Sequence, residues 1–561
     1  MAELLIKNGA VYDPANRVEG DITDIAIRDG TIVESVGSGA QIIDAASMLV
    51  MAGGVDIHAH IAGAKVNAGR LMRPEDHFRD FEAKTSAARS GVGHSVPSIF
   101  TTGYRYARMG YTTVFEPATP PLETRHTHEE LNDLPMLDTG CFPLFGNNSM
   151  IMEYLAAGKL EECAGYVAWM LHATKGYALK IVNPGGVEAW GWGKNVTDYD
   201  EQVPRYNITP REIVRGLCKV NKMLRLPHTI HLHPNNLGKP GNYETSIETL
   251  DSVRDLAEGK RSIHLTHIQF TGYGGRNWQS VSSEAPEIAK YVNTHDHVTL
   301  DMGQIIFTST TTMTADGPFQ FLLHTMSGNK WMNTDVEAET GSGIVPFVYK
   351  RSNSAHAVMW AIGLEAALLI TDPWKIYLTT DHPNAGPFTE YPRIIAWLMS
   401  NKARSRVIAK LPRNARKRIN LETVDRELTL SEIATMTRAA TADALSLTKK
   451  GHLGVGADAD VAVYPFKPRE VDPSAEYKKV RRAFRRAALV VKAGEIVVKD
   501  GEVIKSFSGR TYWAKPHIEA DVLEQVATEL KSKFKKYYTV EFENYPISED
   551  YLDHAFAVQG A

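Results

Sequence analysis

Short apolar strands alternate with helices through the long middle of this 561-residue chain, and this alternation restricts its fold more than any other feature. The candidate strands lie in GVDIHAH, YALKIVN, HTIHLH, SIHLTHIQF, VTLDMGQI and KIYLTTD. A helix follows Thr209, where Pro210 takes the first helical position and Glu212 is placed to close a capping box. Repeated strand–helix units over roughly 350 residues favour a (β/α)8 TIM-like barrel with insertions, and an open parallel sheet is the alternative.

Both ends of the chain have a different sequence pattern from the middle, which predicts short strands separated by turns. Asn-Gly and Asp-Gly pairs, which are hairpin signals, interrupt ELLIKNGAVYD and DIAIRDGTIVESVG near the start and AALVVKAGEIVVKDGEVI near the end. We therefore predict one composite β-sandwich module built from residues 1–51 and 453–510, with the barrel over residues 52–452 inserted between them. For residues 511–561, which contain an amphipathic helix pattern over 519–538, we predict docking on a partner subunit or a second copy.

The composition narrows the class of protein. The 62 basic and 66 acidic residues give a formal net charge of -4, so we expect neither nucleic acid nor an anionic membrane surface as the main partner. No stretch is apolar for long enough to span a bilayer, and the first residues lack a signal-peptide pattern. Cys141, Cys163 and Cys218 form no CxxC pair, so we expect no disulfide framework and no iron–sulfur cluster in this chain. We predict a cytoplasmic protein.

Histidines stand at the ends of several predicted strands. His58 and His60 are two residues apart in GVDIHAH, and alternate side chains of one strand point to the same face, so both rings can reach one ion. TIHLHPNN and SIHLTHIQF each offer two more histidines, of which some would be ligands and others would orient ligands. Catalytic groups of an α/β barrel gather at the C-terminal ends of its strands. Nitrogen and oxygen donors without a thiolate favour zinc or a similar divalent ion.

Two further strand residues suggest chemistry. Lys180 lies inside the apolar run YALKIVN, where a bare ammonium is costly to bury. It either pairs with a carboxylate or is a neutral amine that captures carbon dioxide, and the resulting carbamate can bridge two metals. Asp381 ends KIYLTTD, and on its own it would be an ordinary strand-terminal carboxylate. Beside the histidines it could bind a metal ion, act as the general base on water, or do both.

These residues resemble the amidohydrolase superfamily in its dihydroorotase and hydantoinase branch. GVDIHAH is similar to that family's paired first-strand histidines, and Lys180 to its carboxylated lysine, N6-carboxylysine. The family pattern at the fifth and sixth strands selects His231 over His233 and His267 over His264. The resemblance implies a centre with two divalent metal ions, for which zinc is the expected metal. It also implies that Asp381 is the catalytic residue. The implied ligands are His58, His60, Lys180, His231, His267 and Asp381.

Longer stretches are similar to the A-subunit family of formylmethanofuran dehydrogenase, essentially from end to end. They include HIAGAKVNAGR, KIVNPGGVEAWGWG, LPHTIHLHPNNLGKPGNYET and TTDHPNAGPFTEYPRIIAWLMSNK. The resemblance implies reversible condensation of formate with the primary amine of methanofuran. It also implies a tungsten- or molybdenum-containing partner subunit that supplies formate, iron–sulfur subunits in the same complex, and no molybdopterin in this chain.

Three alternatives remain open at this stage. The chain is also similar, more distantly, to the subunit of a formyltransferase/hydrolase complex that hydrolyses a formyl-furan cofactor. A cyclic amidase of the dihydropyrimidinase or hydantoinase type would share the same ligand pattern. A metal-free scaffold subunit would keep the barrel for assembly only.

Overall fold

The computed structural model describes residues 3–259, 261–334 and 342–560, so residues 1–2, 260, 335–341 and 561 of the predicted domains lie outside the described residues. The strands, in chain order, are β1 (Glu3–Asp13), β2 (Val18–Arg28), β3 (Thr31–Val33), β4 (Gln41–Asp44), β5 (Leu49–Ala52), β6 (Gly54–Asp56), β7 (Tyr111–Thr119), β8 (Asp138–Pro143), β9 (Lys180–Val182), β10 (Ile230–His233), β11 (Ile263–Leu265), β12 (Tyr273–Gly274), β13 (Ser282–Ser283), β14 (Val298–Asp301), β15 (Ser309–Thr314), β16 (Met332–Thr334), β17 (Ser342–Val348), β18 (Ile376–Tyr377), β19 (Val461–Tyr464), β20 (Leu489–Lys492), β21 (Glu495–Lys499), β22 (Glu502–Val503), β23 (Thr511–Ala514) and β24 (Ala555–Val558).

The α-helices, in the same order, are α1 (Ala64–Met72), α2 (Ile99–Arg108), α3 (Thr124–Asn132), α4 (Ser149–Ala156), α5 (Leu160–Thr174), α6 (Gly186–Trp190), α7 (Pro210–Met223), α8 (Tyr243–Asp251), α9 (Ala285–Thr294), α10 (Gly317–Ser327), α11 (Ser354–Leu369), α12 (Tyr391–Leu398), α13 (Asn401–Ile408), α14 (Arg413–Arg416), α15 (Leu430–Ala434), α16 (Ala440–Ala444), α17 (Tyr477–Arg485) and α18 (Ala520–Phe534).

Eight parallel strands form a closed ring. β6, β7 and β8 pair in that order, and β9, β10, β11, β14 and β18 pair in that order. Parallel pairings of Leu144 with Lys180 and of Ala59 with His382 join the edges of these two sheets. β10, β11 and β14 are buried along their whole lengths, as in strands that are covered on both faces, although their apolar residues alternate with polar ones. The closed ring confirms the predicted barrel, and the alternative of an open parallel sheet was wrong.

Strands from both ends of the chain share one nine-stranded sheet. Its order is β22-β21-β20-β19-β5-β1-β2-β3, with β4 beside β1. The junction is the antiparallel pairing of β5 with β19, in which Val50 faces Val463. The hydrophobic core of this sheet likewise mixes the two ends, since Ile6 and Val50 are fully buried in one cluster with Val461 and Val491. The predicted domain boundaries at residues 51, 452 and 510 stay a prediction.

Helices surround the barrel, and α7 shows how the local sequence sets one of them. Thr209 Oγ1 accepts a hydrogen bond from the Glu212 backbone N–H (3.3 Å), and Glu212 Oε2 accepts one from the Thr209 N–H (2.8 Å), so the predicted capping box is confirmed. The apolar face of α7, which includes Ile213 and Leu217, is buried against α4 and α5. None of the helices in the described part of the chain combines the length and apolarity that crossing a bilayer requires.

The C-terminal region packs on this chain's own barrel. β23 pairs with β8 through Thr511 and Thr139, and β24 pairs in parallel with β23. The helix predicted over 519–538 is α18, and its Leu530 and Phe534 are buried in the main hydrophobic core beside α5. The region is thus part of the tertiary structure, while docking of residues 511–561 on a partner stays a prediction.

Candidate metal centre

All six residues of the predicted ligand set lie at or just beyond strands of the barrel, and each is at most 3% exposed. Five of them line one small cavity, and His231 in β10 lies behind His58. The strands therefore bring together side chains that are separated by more than 300 residues in the sequence. The cavity-lining members of the set are His58, His60, Lys180, His267 and Asp381.

The donor atoms form two groups that share His58. Asp381 Oδ1 is 3.0 Å from His58 Nε2 and 3.3 Å from His60 Nε2. On the other side of the His58 ring, His231 Nε2 is 2.9 Å from Nδ1. The donors of His58, His267 and Asp381 all lie within 4.8 Å of one another, and so do those of His58, His231 and Asp301. Each of these two groups is a candidate for holding one metal ion.

The electrostatics of the site suit a divalent cation. Burial lowers the pKa of both His231 and His267 well below the usual range, so the rings are neutral and their lone pairs are available. His267 Nδ1 is buried and has no hydrogen-bond partner among the described residues, although such a nitrogen ordinarily finds one. A metal ion would satisfy it, and imidazole nitrogen together with carboxylate oxygen is a donor set that zinc accepts.

Lys180 is a buried amine without a counter-ion in contact. Nζ makes no hydrogen bond or ion pair with any described residue, so the structure does not support simple pairing with a carboxylate. Burial lowers its pKa to about 7, against the opposing charges of Asp381 and Asp301. A large share of the amine is therefore neutral near pH 7, which is the form that reacts with carbon dioxide.

Asp301, the last residue of β14, was not among the predicted site residues. Its Oδ1 accepts a hydrogen bond from the His267 backbone N–H (3.0 Å), and its Oδ2 lies 3.1 Å from His264 Nε2 and 3.4 Å from His58 Nδ1. The available signal was an acid at the end of the apolar run VTLD, the same signal that identified Asp381. His264 thus contacts Asp301, and the structure places His267 rather than His264 in the donor group with Asp381.

Glu116 in β7 is a second residue that the sequence did not single out. Its Oε1 contacts His60 Nδ1 at 2.8 Å, and its Oε2 accepts hydrogen bonds from the backbone N–H groups of Ile61 (2.7 Å) and Ala62 (3.2 Å). Burial alone would raise the pKa of Glu116, but the charges of Lys65 and His60 lower it to about 2. The ionised carboxylate fixes the His60 ring with Nε2 directed at Asp381, as carboxylates commonly do behind metal-binding histidines.

The backbone at two site residues is held in a sparsely populated conformation. His267 has φ 39° and Asp381 has φ 46°, in the left-handed region that non-glycine residues rarely adopt. Asn384 secures Asp381 by donating from Nδ2 to Oδ1 (2.8 Å). Gly303 permits the turn at His267, because a Cβ at position 303 would lie 2.3 Å from His267 Cβ. Backbone strain of this kind clusters at functional sites.

The comparisons with known proteins agree with this geometry. The model of an amidohydrolase family, Amidohydro_3, matches residues 41–498. Protein FwdA of Methanocaldococcus jannaschii is 53% identical over 559 residues, which is 98% of each chain. The corresponding chain of the formyltransferase/hydrolase complex Fhc of Methylorubrum extorquens is 37% identical over 544 residues, 94% of each chain. The X-ray crystal structure of that FhcABCD complex with methylofuran contains a chain that is 35% identical, covers 100% of both chains and has a TM-score of 0.89.

This chain belongs to the amidohydrolase family. Its resemblance to the A-subunit family of formylmethanofuran dehydrogenase, of which FwdA is a member, is confirmed by identity over nearly the whole of both chains. The chain is a metal-dependent amidohydrolase-type enzyme subunit, and a metal-free scaffold is not supported.

Proposed function

We propose that this subunit catalyses the reversible condensation of formate with the primary amine of methanofuran. In the hydrolytic direction the formamide R–NH–CHO and one water give R–NH2 and formic acid, and synthesis is the reverse. The observation that carries the proposal is the buried cluster of histidines, Lys180 and Asp381 in a chain 53% identical to FwdA. Further support comes from the structurally similar chain in a complex crystallised with methylofuran.

The metal centre that we propose holds two zinc ions, with Lys180 carboxylated to N6-carboxylysine. The grouping of donors around His58 supports two adjacent ions, and the neutral fraction of Lys180 supports the modification. Bound ions would supply Lewis acidity toward the formyl oxygen and toward water. The ligands would be His58, His60, Lys180, His231, His267 and Asp381.

Asp381 is the group that we propose moves the proton. Burial would raise the pKa of Asp381, but its interactions with the His267 and His58 side chains and a hydrogen bond from His60 hold that pKa well below its usual range, so the carboxylate is ionised. As water adds to the formyl carbon, Asp381 takes a proton from it, and then delivers that proton to the amine nitrogen as the C–N bond breaks. In synthesis the same group removes a proton from the amine and returns it to the departing water.

Condensation of formate with an amine is unfavourable in water, so a high local formate concentration must drive synthesis by mass action at a sequestered site. The surrounding residues make a nearly closed site, since none of the six proposed ligands is more than 3% exposed. A site closed in this way keeps bulk water away from the reacting groups.

We propose that the reaction takes place within a larger complex. Formate would come from a tungsten- or molybdenum-containing subunit, with iron–sulfur subunits carrying the electrons. The similarity to one chain of the FhcABCD complex supports assembly with other chains. We further propose the cytoplasm as the compartment, because the three cysteines are free and buried, a state that reducing conditions preserve.

The proposed function is tested with the purified complex. We expect release of formate from formylmethanofuran and, with excess formate, appearance of the formamide. The same preparation is given dihydrouracil and hydantoin, which are substrates for a cyclic amidase. Hydrolysis of either ring, together with no action on formylmethanofuran, would contradict the proposal and favour the cyclic amidase.

A further inference from the structure

A second cavity, of about 280 Å³, lies between α12, α13 and α17 and is lined by an unusual set of cations. We call it the basic pocket. Its positively charged lining residues are Arg351, Arg393, Arg406, Lys410 and Arg481. Its aromatic lining residues are Phe307, Trp397 and Tyr477. No aspartate or glutamate is among the described residues that line it.

The positive charge of the basic pocket is poorly balanced. Arg393 contacts Glu390, with 2.8 Å between Nε and Oε2. Arg351, Lys410 and Arg481, by contrast, form no hydrogen bond or ion pair through their side chains with any described residue. Burial lowers the pKa of Arg393; the charge of Glu390 opposes this shift, and the nearby charges of Arg481 and Arg485 add to it. Like charges held together in this way repel one another and attract an anion.

The shape and walls of the basic pocket indicate the size and chemistry of a ligand. Guanidinium groups bind carboxylate and phosphate oxygens in pairs and stack on flat rings. Trp397 is only 6% exposed and is fixed by edge-to-face packing against Trp360, with 5.5 Å between ring centroids. Arg406 is similarly held by a hydrogen bond of 2.5 Å to Tyr477 Oη. At about 280 Å³ the cavity lies near the lower end of the range of small-molecule sites, so it suits a small ligand better than a peptide.

We infer that the basic pocket binds a small organic polyanion that carries carboxylate or phosphate groups beside a flat ring. It is a separate site from the metal centre, because the two cavities have no lining residue in common. The two are nevertheless neighbours in the fold. Phe307 follows Ile306, whose backbone N–H donates to the Ala385 carbonyl (3.0 Å) in the segment that begins at Asp381.

The inference is tested by titration calorimetry of the full-length chain at physiological ionic strength. The probes are isophthalate and phenyl phosphate, two dianions that carry carboxylates and a phosphate, respectively, on a flat ring. We expect one saturable site, and a higher melting temperature in the presence of the tighter probe. The double variant Arg351→Ala/Arg481→Ala should weaken binding by about tenfold or more, since each change removes a charge-assisted contact.

The control is Arg482→Ala, which removes an exposed arginine of α17 that does not line the basic pocket. Retained affinity in the control and lost affinity in the double variant support the inference, and the preferred probe identifies the natural ligand as a carboxylate or a phosphate. Absence of saturable binding to either probe would overturn it, and so would an equal loss in the control. Loss of binding in the assembled complex would also overturn it, because a partner subunit would then cover the pocket.

Discussion

Asp381 has two roles in the proposed mechanism, and one substitution separates them. Asparagine keeps an oxygen that can contact a metal ion but cannot accept a proton near neutral pH. We expect Asp381→Asn to keep most of its bound metal and to lose at least ~10²-fold in turnover of formylmethanofuran. The loss should appear in kcat more than in KM, because the proton moves only on the way to the transition state.

Metal content by elemental analysis and steady-state kinetics check this prediction, with Asp550→Asn as the control at an exposed position. A variant with near-normal kcat would leave Asp381 as a ligand at most.

Substitution of Lys180 tests directly whether this residue carries a carbamate that bridges two metal ions. Its buried Nζ has no partner among the described residues, so the amine is free to react with carbon dioxide. We expect Lys180→Ala to lose most of its metal and activity, with partial rescue by a short-chain carboxylic acid that replaces the two missing oxygens. Lys180→Arg should also lose metal, because arginine keeps a charge but forms no such bridge.

Exposed Lys219 provides the matched control, Lys219→Ala. Full metal content and full turnover in Lys180→Ala would exclude the carbamate bridge.

At the scale of elements, α18 is held by a small number of buried aromatic contacts. Phe534 is fully buried and packs edge-to-face on Trp169 of α5, with 6.4 Å between ring centroids. Phe534→Ala should lower the free energy of unfolding by ~3–5 kcal/mol if the transition is two-state. Val522→Ala on the same helix should change it little, because Val522 is 43% exposed.

Chemical denaturation of the two variants measures the difference. If Phe534→Ala unfolds at the same denaturant concentration as the parent, the buried Phe534 contact does not contribute to stability. Loss of partner subunits from the Val522→Ala variant alone would instead mark the exposed face of α18 as a docking surface.

At the scale of the whole molecule, a buried cluster of charges joins the barrel to the mixed sheet. Lys450 Nζ contacts Asp138 of β8 at 2.5 Å and Asp460 at 2.7 Å, and Lys492 of β20 contacts the same two carboxylates at 2.7 and 3.0 Å. Burial would raise the pKa of Asp138 and of Asp460, but the two lysines lower both. The stability that these carboxylates contribute is therefore fully present above their unfolded pKa of about 3.9, and it is lost as the pH falls from there through their lowered pKa in the folded chain.

Lys450→Met should lower the free energy of unfolding near pH 7 by ~3–5 kcal/mol, because it leaves buried carboxylates short of a partner. The difference from the parent should shrink as the pH falls below about 4 toward the lowered pKa of the parent's carboxylates, where these become protonated in the parent as well. Lys449→Met at the exposed neighbouring position is the control. Equal stability of Lys450→Met and the parent near pH 7 would contradict a structural role for the cluster.

Local sequence was enough to predict the barrel, the mixing of the two chain ends and most of the candidate site. Strand periodicity, hairpin pairs and the capping box at Thr209 are set by near neighbours, so they can be recognised without the fold. His58, His60 and Asp381 were identifiable for the same reason, since each stands at the end of an apolar strand. The choice of His231 and His267 over their neighbours came from family resemblance, and their role as ligands stays a prediction.

Contacts between distant segments, by contrast, became apparent only in the folded chain. Asp301 ends its strand much as Asp381 does, but its importance depends on contact with His264, 37 residues away in the sequence. Lys450 and Asp138 meet only because the mixed sheet packs on the barrel, and the basic pocket exists only because α12, α13 and α17 come together. Local patterns arise from the geometry of adjacent residues, whereas these contacts depend on how the closed ring of strands places its surrounding helices and loops.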